Sequence, residues 1–310
     1  MMIEVKNDYI KRILDGLDSL IIGQEELKTV LILSLLTEGN LLIEGPVGVG
    51  KTVTAKVFSM LIGGEFKRIQ MTSDLLPSDI LGTPFYNIKD GSWSIKKGPI
   101  FANLVFIDEL NRAPARTQSA LLQAMQEKEV TMENTIFKLR SPFMVIATQV
   151  PYAEGTYTLP YVEIDRFSYG IEVDLPSKED EIRILDVSYL TDNPDVKPVI
   201  TPEKALELTK VVKEVKVSDE VKEYIVSLIS SLREDKDLMY KLSVRASISL
   251  YRGSKAIAFL DSRNFVIPDD VKFVFPYVVY HRIVLKPESA IEKNKKEKIK
   301  AILESVKVPK

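Results

Sequence analysis

One stretch of the sequence decides the fold: Gly45-Pro46-Val47-Gly48-Val49-Gly50-Lys51-Thr52. It matches the pattern G-x-x-x-x-G-K-[ST], it follows the apolar run at 40–44, and it opens a helical pattern at 51–62. Glycines here let backbone N–H groups curl round phosphate oxygens, and the helix N-terminus favours an anion. We therefore predict an ATP-binding loop in which Lys51 reaches the β and γ phosphates and Thr52 ligates magnesium.

A second apolar run, residues 104–107, ends in the paired acids Asp108 and Glu109. By itself such a run is common and usually marks only the end of a strand. Downstream of a phosphate-binding loop, it predicts the other half of an ATPase site at the carboxyl edge of a sheet. Asp108 would hold magnesium through water, and Glu109 would polarise the attacking water as a general base.

The first half of the chain alternates short apolar runs with longer helical patterns, which predicts an α/β fold with a parallel five-stranded sheet wrapped by helices. Residues 104–107 are apolar at every position, as a strand covered on both faces must be. The expected strands are 40–44, 67–71, 103–107, 143–148 and 169–175, with helices at 51–62 and 113–127 among them.

After Pro176 the strand signals fade, and helical periodicity begins at the capping-box-like sequence Ser177-Lys178-Glu179-Asp180. We therefore place a domain boundary here, with a nucleotide-binding core at 1–176 and a small helical lid domain at 177–310. Further helices are expected from Thr201 and Ser218, and at 246–260, 268–280 and 298–306.

Two insertions interrupt the core pattern. Residues 73–98 are rich in turn residues and aromatics, which suggests a loop or hairpin, and such insertions often carry function. Residues 129–132 and 135–139 are expected to pair around Glu133-Asn134 as a second hairpin.

Composition excludes several kinds of site. Lys and Arg total 42 against 44 Asp and Glu, so the net charge of −2 gives no reason to expect a nucleic-acid or anionic-membrane footprint. Zero cysteines exclude disulfides, thiol catalysis and Cys-based metal sites, and they fit a reducing compartment. The single histidine, His281, follows an apolar run, which favours a packed structural residue over a catalyst.

Targeting and membrane signals are not evident in the sequence. The first 18 residues are sprinkled with charges and lack a small-residue cleavage site. No apolar stretch reaches the roughly 18 residues of a membrane helix. We expect a soluble cytoplasmic protein with no membrane insertion.

Residues 108–127, from Asp108 through Asn111-Arg112-Ala113-Pro114 to Glu127, resemble the signature of MoxR-type AAA+ ATPases. The match is long and specific, and further segments extend it over nearly the whole chain. These segments are 23–24, 70–79, 154–160, 164–167, 243–246 and 268–271.

The resemblance implies an αβα nucleotide domain, a displaced helical lid, and assembly of identical subunits into a ring, usually a hexamer. Arg166 matches the arginine finger of the family, which would enter the neighbouring subunit's site. Arg245 matches the sensor 2 arginine, which couples the lid to the γ phosphate. At an isolated position, a surface or salt-bridge residue would be the favoured interpretation of either arginine, and the motif context reverses that preference.

The chain departs from the family at one catalytic position. The family usually has Ala-Thr-Gln-Asn-Pro after its fourth strand, with the Asn as sensor 1, whereas this chain has Ala147-Thr148-Gln149-Val150-Pro151. Valine cannot hydrogen-bond a water or a phosphate oxygen. Either Thr148 or Gln149 takes that role, or hydrolysis is slower than is typical.

Two other segments carry predictions with an open alternative. Ile21-Ile22-Gly23-Gln24 would line the adenine pocket, or the isoleucines would only anchor the N-terminal helix. Gln70 would communicate nucleotide state to Glu109, or it would be an ordinary strand residue. The predicted nucleotide contacts are Ile22, Gly23, Gln24, Gly45, Pro46, Val47, Gly48, Val49, Gly50, Lys51, Thr52, Val53, Asp108, Thr148 and Gln149.

Three functions are compatible with these residues. In the first, Mg-ATP hydrolysis at subunit interfaces drives work on a protein client, which in this family commonly carries a von Willebrand factor A domain. A nucleic-acid-translocating motor is a second possibility, against which the balanced charge counts. A nucleotide-locked scaffold with negligible turnover is the third. Val150, in place of the usual Asn, is compatible with the scaffold hypothesis, whereas the water-activating Glu109 argues for turnover.

Overall fold

The computed structural model describes residues 5–89, 91–132, 135–150, 155–192, 194–290 and 294–309. Among the helices in these ranges, none is both long and apolar enough to span a membrane. The strands are β1 Leu41–Glu44, β2 Phe66–Gln70, β3 Gly82–Asn87, β4 Ser92–Lys97, β5 Leu104–Asp108, β6 Glu129–Met132, β7 Thr135–Lys138, β8 Met144–Gln149 and β9 Tyr169–Glu172.

The α-helices alternate with these strands in the first half of the chain and then follow one another. They are α1 Asp8–Asp18, α2 Glu25–Thr37, α3 Lys51–Leu61, α4 Pro77–Leu81, α5 Ala115–Glu127, α6 Tyr161–Ile164, α7 Lys178–Asp192, α8 Pro202–Glu214, α9 Asp219–Glu234, α10 Val244–Leu260, α11 Pro268–Val279, α12 Pro287–Ala290 and α13 Lys295–Ser305. Short 3-10 helices occur at Pro99–Phe101, Leu110–Arg112 and Tyr280–Arg282.

The central sheet has five strands in the order β2-β5-β8-β1-β9, and all of its pairings are parallel. The predicted parallel five-stranded sheet is therefore confirmed. Because parallel strands end at one edge, the turn after β1, the acids at the end of β5 and the last residues of β8 meet there.

Strand β5 shows why the sheet is covered on both faces. Leu104 and Phe106 belong to one buried apolar cluster, whereas Val105 and Ile107 belong to another. All four side chains are inaccessible to solvent. Since neighbouring residues of a strand point to opposite faces, a continuous apolar run is what a strand between two helical layers requires.

The first of these clusters continues from the sheet into the later helices. It joins side chains of α2 and α3 to Leu228 of α9, Leu250 of α10 and Val274 of α11. Helices α8 and α9 begin where expected, because the hydroxyls of Thr201 and Ser218 accept hydrogen bonds from amides of their first turns. The division of the chain at residue 176 remains a prediction, since this core runs across it.

Both insertions contain antiparallel hairpins. Between Ser73 and Gly98 the short helix α4 precedes the pair β3–β4, and β6 pairs with β7 in the second insertion. The predicted turn residues Glu133-Asn134 lie outside the described residues. The β3–β4 hairpin exposes an aromatic pair, Tyr86 and Trp93, whose ring centroids are 5.5 Å apart.

His281 is packed inside the protein, as expected of a structural residue. It is 2% exposed, and its Nε2 lies 3.0 Å from the carbonyl oxygen of Phe167. A Cβ on Gly170 would lie 2.4 Å from His281 Nδ1, so that strand residue leaves the space the ring fills.

Candidate active site

The loop after β1 needs its glycines for two different reasons. Gly45 has a φ of +150°, and a Cβ there would lie 2.3 Å from the carbonyl oxygen of Val173. Gly48 has a φ of +86°, in the left-handed region that side chains rarely adopt, while the space around it is open. The loop can therefore follow a path that turns its amides towards a ligand, and it leads directly into α3.

Lys51 stands at the first residue of α3 and is only 8% exposed. Its Nζ donates to the carbonyl oxygens of Gly45 and Pro46, each at 2.8 Å. Burial lowers the pKa of Lys51, and the charges of Asp108 and Glu109 oppose that shift. The ammonium group is thus held inside the loop, with the two acids near enough to affect its charge.

A cavity of about 470 Å³ lies on one side of the loop. Ile22, Gly23 and Gln24 line it together with Val53, as expected for a base pocket, and α7 supplies Ile184. Ile21 lines the same cavity and also belongs to the buried core.

Gln24 supports the phosphate-binding loop from this segment. Its side-chain amide donates to the carbonyl oxygen of Val49, and its Oε1 accepts from Thr54 Oγ1 at 3.1 Å. The residue adopts a left-handed backbone conformation, with φ 59°. Gln24 therefore ties the segment before α2 to the C-terminal end of the loop and to the first turn of α3.

A second cavity of about 430 Å³ lies at the carboxyl edge of the sheet. Lys51 and Thr52 line it, and so do the two acids of β5 and Val150. The cavities share Gly48, Val49, Gly50 and Val53, so the loop runs along both of them.

Both acids are held by neighbouring strands. Asp108 Oδ1 accepts from Thr148 Oγ1 at 3.0 Å, and its Oδ2 accepts from Arg68 Nη2 at 2.6 Å. Glu109 Oε2 accepts from Gln70 Nε2 at 3.0 Å, as the predicted link between Gln70 and Glu109 requires. We call these five residues the acid region.

Glu109 also has an unusual backbone conformation, with φ 56°. Non-glycine residues rarely adopt it, and where they do, the surrounding contacts must hold them. The Glu109 amide donates to Thr148 Oγ1 at 2.9 Å, and Glu109 Oε2 also lies 3.0 Å from Arg112 Nε. Two contacts therefore hold the Glu109 side chain, and a third holds its backbone amide.

The structure separates the two candidates for the sensor 1 role. Thr148 is almost fully buried, and its hydroxyl donates to Asp108 Oδ1 and accepts from the Glu109 amide. Gln149 instead donates from Nε2 to Glu44 Oε1 of β1 at 2.6 Å. Pro151, the last residue of that predicted motif, lies outside the described residues. Thr148 is thus the polar side chain that the end of β8 brings to Asp108.

Arg166 and Arg245 do not line either cavity, but they lie together. Asp165 Oδ2 accepts from Arg245 Nη1 at 3.2 Å, and Asp165 directly precedes Arg166 in sequence. Within the described ranges no ion pair involves Arg166, and its buried Nε has no hydrogen-bond partner.

Asp165 itself is held by the buried side chain of Arg282, which is 1% exposed. Arg282 Nε donates to Asp165 Oδ1 at 2.9 Å and Arg282 Nη2 to the Phe167 carbonyl at 2.6 Å, while Ser243 Oγ donates to Asp165 Oδ2 at 2.7 Å. We call Asp165, Arg166, Ser243, Arg245 and Arg282 the finger region.

Sequence reasoning did not find Arg68 or Arg112 as members of the site. Arg68 precedes Gln70 by two positions, so on a strand both side chains point to the same face, and that spacing was the available signal. Arg112 lies in the signature but follows the acids in a 3-10 turn, whose shape no periodicity reveals.

Comparisons with known proteins cover nearly the whole chain. Residues 40–169 match the model of the ATPase family associated with various cellular activities (AAA), and residues 230–302 match the AAA lid domain. The chain is 38% identical to the uncharacterized protein YeaC of Bacillus subtilis over 298 residues, which cover 95% of this chain and 93% of that protein.

Two further relatives are similar over nearly the full length. Chaperone MoxR1 of Mycobacterium tuberculosis is 35% identical over 311 residues, covering 97% of this chain and 82% of that protein. The crystal structure of a candidate ATPase from Cytophaga hutchinsonii superposes with a TM-score of 0.91 at 36% identity, covering 98% of this chain and 96% of that one.

Proposed function

The chain belongs to the MoxR family of AAA+ ATPases, and on this premise we propose that it hydrolyses Mg-ATP at the interfaces of a ring of identical subunits, to remodel or activate a protein client. The observation that carries the proposal is the separation of the acid region from the finger region. One has acids beside a phosphate-binding loop, and the other has a cation, Arg166, that no described acid pairs.

The residues of the acid region and the loop have the ligand chemistry that magnesium and a nucleoside triphosphate require. Magnesium prefers oxygen ligands and usually keeps few protein ligands when phosphates supply the rest. The hydroxyl of Thr52 is such a ligand, the carboxylate of Asp108 would hold the ion through water, and both residues line the same cavity. When bound, the metal ion would neutralise charge that develops on the transferring phosphoryl group.

The chain's own side chains would then perform three tasks. Lys51 places a positive charge at the terminal phosphates, and Thr148 holds Asp108 in position through its hydroxyl. Glu109 accepts a proton from the attacking water at Oε1, since Oε2 already accepts from Gln70 and lies beside Arg112.

Arg166 completes the site of a neighbouring subunit in this proposal, and Arg245 approaches it from the same side. Arg245 follows the division proposed at residue 176, so the lid domain at 177–310 would reach the neighbour's nucleotide together with the core at 1–176. Head-to-tail contacts of this kind close into rings when the rotation between subunits allows it. Six subunits are the usual number in the family.

Two variants with lesions on opposite sides of the interface test the shared site. Steady-state ATP hydrolysis is measured for wild type, Glu109→Gln and Arg166→Ala, at concentrations above and below assembly as determined by sedimentation velocity. We expect Glu109→Gln to lose about 10²- to 10⁴-fold in kcat. Arg166→Ala should lose about 10³-fold or more, and only in the assembled state.

Mixing the two variants provides the matched control. An interface with the acids of an Arg166→Ala subunit and the arginine of a Glu109→Gln subunit is intact. In a randomly mixed ring about one interface in four is of this kind, so the mixture should recover up to about a quarter of wild-type activity. No recovery in mixed assemblies would contradict the shared site, and wild-type turnover that Glu109→Gln leaves unchanged would contradict the role of Glu109.

The client is proposed to be a protein with a von Willebrand factor A domain, as is common for the family. A pull-down with the Glu109→Gln variant, which should retain nucleotide and client, tests this proposal by mass spectrometry of captured proteins. Recovery that requires ATP and is lost in a Lys51→Ala variant would support client binding. Equal recovery with both variants would contradict it.

A further inference from the structure

Arg68 is a charged residue of the acid region that has no role in the hydrolysis proposed above. It lies on β2, whose neighbour in the sheet is β5, and Gln70 pairs in register with Asp108. Arg68 and Gln70 point to the same face of the strand, and both line the cavity with the acids. The preceding residue, Lys67, points the other way and lies 3.5 Å from Glu65.

One nitrogen of the Arg68 guanidinium connects to both acids. Nη2 donates to Asp108 Oδ2 at 2.6 Å and to Gln70 Oε1 at 2.7 Å. Because Oε1 of Gln70 takes that hydrogen bond, its amide nitrogen is turned towards Glu109, which it reaches at 3.0 Å. Arg68 thus contacts the magnesium-binding acid directly and the proposed general base through a single side chain.

The same contact places a positive charge on the carboxylate that a cation would use. Thr148 donates to Asp108 Oδ1 and Arg68 donates to Oδ2, so a cation held by this carboxylate would lie close to the Arg68 guanidinium. Cations that share one carboxylate repel each other, and Arg68 is half-exposed, with room to move away.

We propose that Arg68 is a positioning residue that competes with Mg²⁺ for Asp108 and, through Gln70, sets the orientation of Glu109. This inference rests on the proposed hydrolysis of Mg-ATP and adds a cis-acting arginine to it. A magnesium ion held by Asp108 would displace the Arg68 guanidinium, and Gln70 Oε1 would lose its donor with it. The arginine therefore makes the placement of the base dependent on the metal ion.

Magnesium dependence of nucleotide binding tests the competition. The full-length variants Arg68→Met and Lys67→Met are compared with wild type by calorimetric titration of a non-hydrolysable ATP analogue at a series of Mg²⁺ concentrations. For Arg68→Met we expect the Mg²⁺ midpoint to fall about fivefold, while affinity without Mg²⁺ stays within about twofold. Lys67→Met removes a neighbouring cation on the other face and should leave both quantities unchanged.

Two outcomes of the titration would overturn the proposal. An unchanged midpoint in Arg68→Met would mean that the ion pair with Asp108 is an ordinary surface contact. A raised midpoint with weaker binding in the absence of Mg²⁺ would make Arg68 a phosphate ligand instead. If wild type binds no nucleotide at all, the proposed hydrolysis fails first, and that result is distinct from both.

A double-mutant cycle tests the link through Gln70. Arg68→Met, Gln70→Ala and the double variant are compared in kcat and KM, with thermal melting to verify that each is folded. If Arg68 acts on Glu109 through Gln70, the double variant should lose about as much in kcat as Gln70→Ala alone. Additive losses in kcat would overturn this path, whatever the Mg²⁺ titration shows.

Discussion

The acid region and the finger region are both built from charged side chains, but their charges are partnered in opposite ways. In the acid region every functional carboxylate accepts hydrogen bonds from a neighbouring strand, such as those from Arg68 and Thr148 to Asp108. In the finger region both carboxylate oxygens of Asp165 accept hydrogen bonds, while Arg166, the proposed arginine finger, has no described ion-pair partner.

This difference suits the two regions to ligands from different sources. Carboxylates that are oriented from within their own subunit are ready to work on a nucleotide bound to that subunit. An arginine on a rigid base, with its own charge left over, suits an anion supplied by another molecule. In the proposed function, the two regions would form one site divided between copies of the chain.

The largest expected effect on stability comes from removing the buried ion pair of the finger region. Arg282→Met removes the buried partner of Asp165 and leaves that carboxylate with only the 43%-exposed Arg245 as an ion-pair partner. This loss should lower the free energy of unfolding by about 3–5 kcal/mol. Urea unfolding followed by circular dichroism measures it. The exposed Arg116→Met is the control and should change stability by less than about 0.5 kcal/mol. Equal stabilities would contradict the structural role of the pair.

A second variant changes Arg166 itself and leaves the buried pair of Asp165 and Arg282 intact. Arg166→Lys keeps the charge but loses the planar fork that bonds a phosphoryl group at two points, so kcat of the assembled protein should fall about 10²-fold or more. Because Arg166 holds no described carboxylate, the melting temperature should stay within about 2 °C. A Lys variant that retains wild-type kcat would show that charge alone is sufficient.

Much of the fold is predictable because its signals are local. The run 104–107 is apolar throughout and the loop at Gly45 has its glycines in sequence, so the strand, the turn and the helix follow from neighbouring residues. The acids at the end of β5 are predictable for the same reason.

The rest of the site depends on pairings that sequence spacing does not contain. Thr148 and Gln149 are equally polar and adjacent, and the sheet register decides between them, since Gln149 pairs with Glu44 of β1. Arg68 reaches Asp108 only because β2 lies beside β5. Arg245 reaches Asp165 across 80 positions of chain. These contacts are tertiary, so no pattern in a single segment predicts them.

A smaller effect sharpens the description of the acid region. Thr148→Val keeps the shape of the side chain and removes the hydroxyl that bridges Asp108 and the Glu109 amide, so kcat should fall about tenfold. Val150→Asn restores the residue usual in the family and should change kcat by less than about threefold, since Thr148 already holds Asp108. Larger gains from Val150→Asn would return the sensor role to that position.

The smallest expected effect is a pH dependence of the free energy of unfolding that arises beside the finger region, at the only histidine of the chain. His281 lies against the finger region, and burial together with the nearby charge of Arg282 lowers its pKa well below 6.5. The unfolded chain therefore binds a proton below pH 6.5 that the folded chain does not, and stability present above this pH is lost as the pH falls.

Between pH 6.5 and 5.5 the free energy of unfolding should fall by about 1 kcal/mol in wild type, measured by urea unfolding at each pH. His281→Gln retains a hydrogen-bond donor and does not titrate, so its stability should be nearly constant over this interval. Carboxylates with lowered pKa values, such as Glu38 and Asp261, lose their contribution only at lower pH, because their ordinary values are 4.5 and 3.8. The same slope in both proteins would assign the pH dependence to groups other than His281, and the packing of its ring against Phe167 would then be unrelated to acid stability.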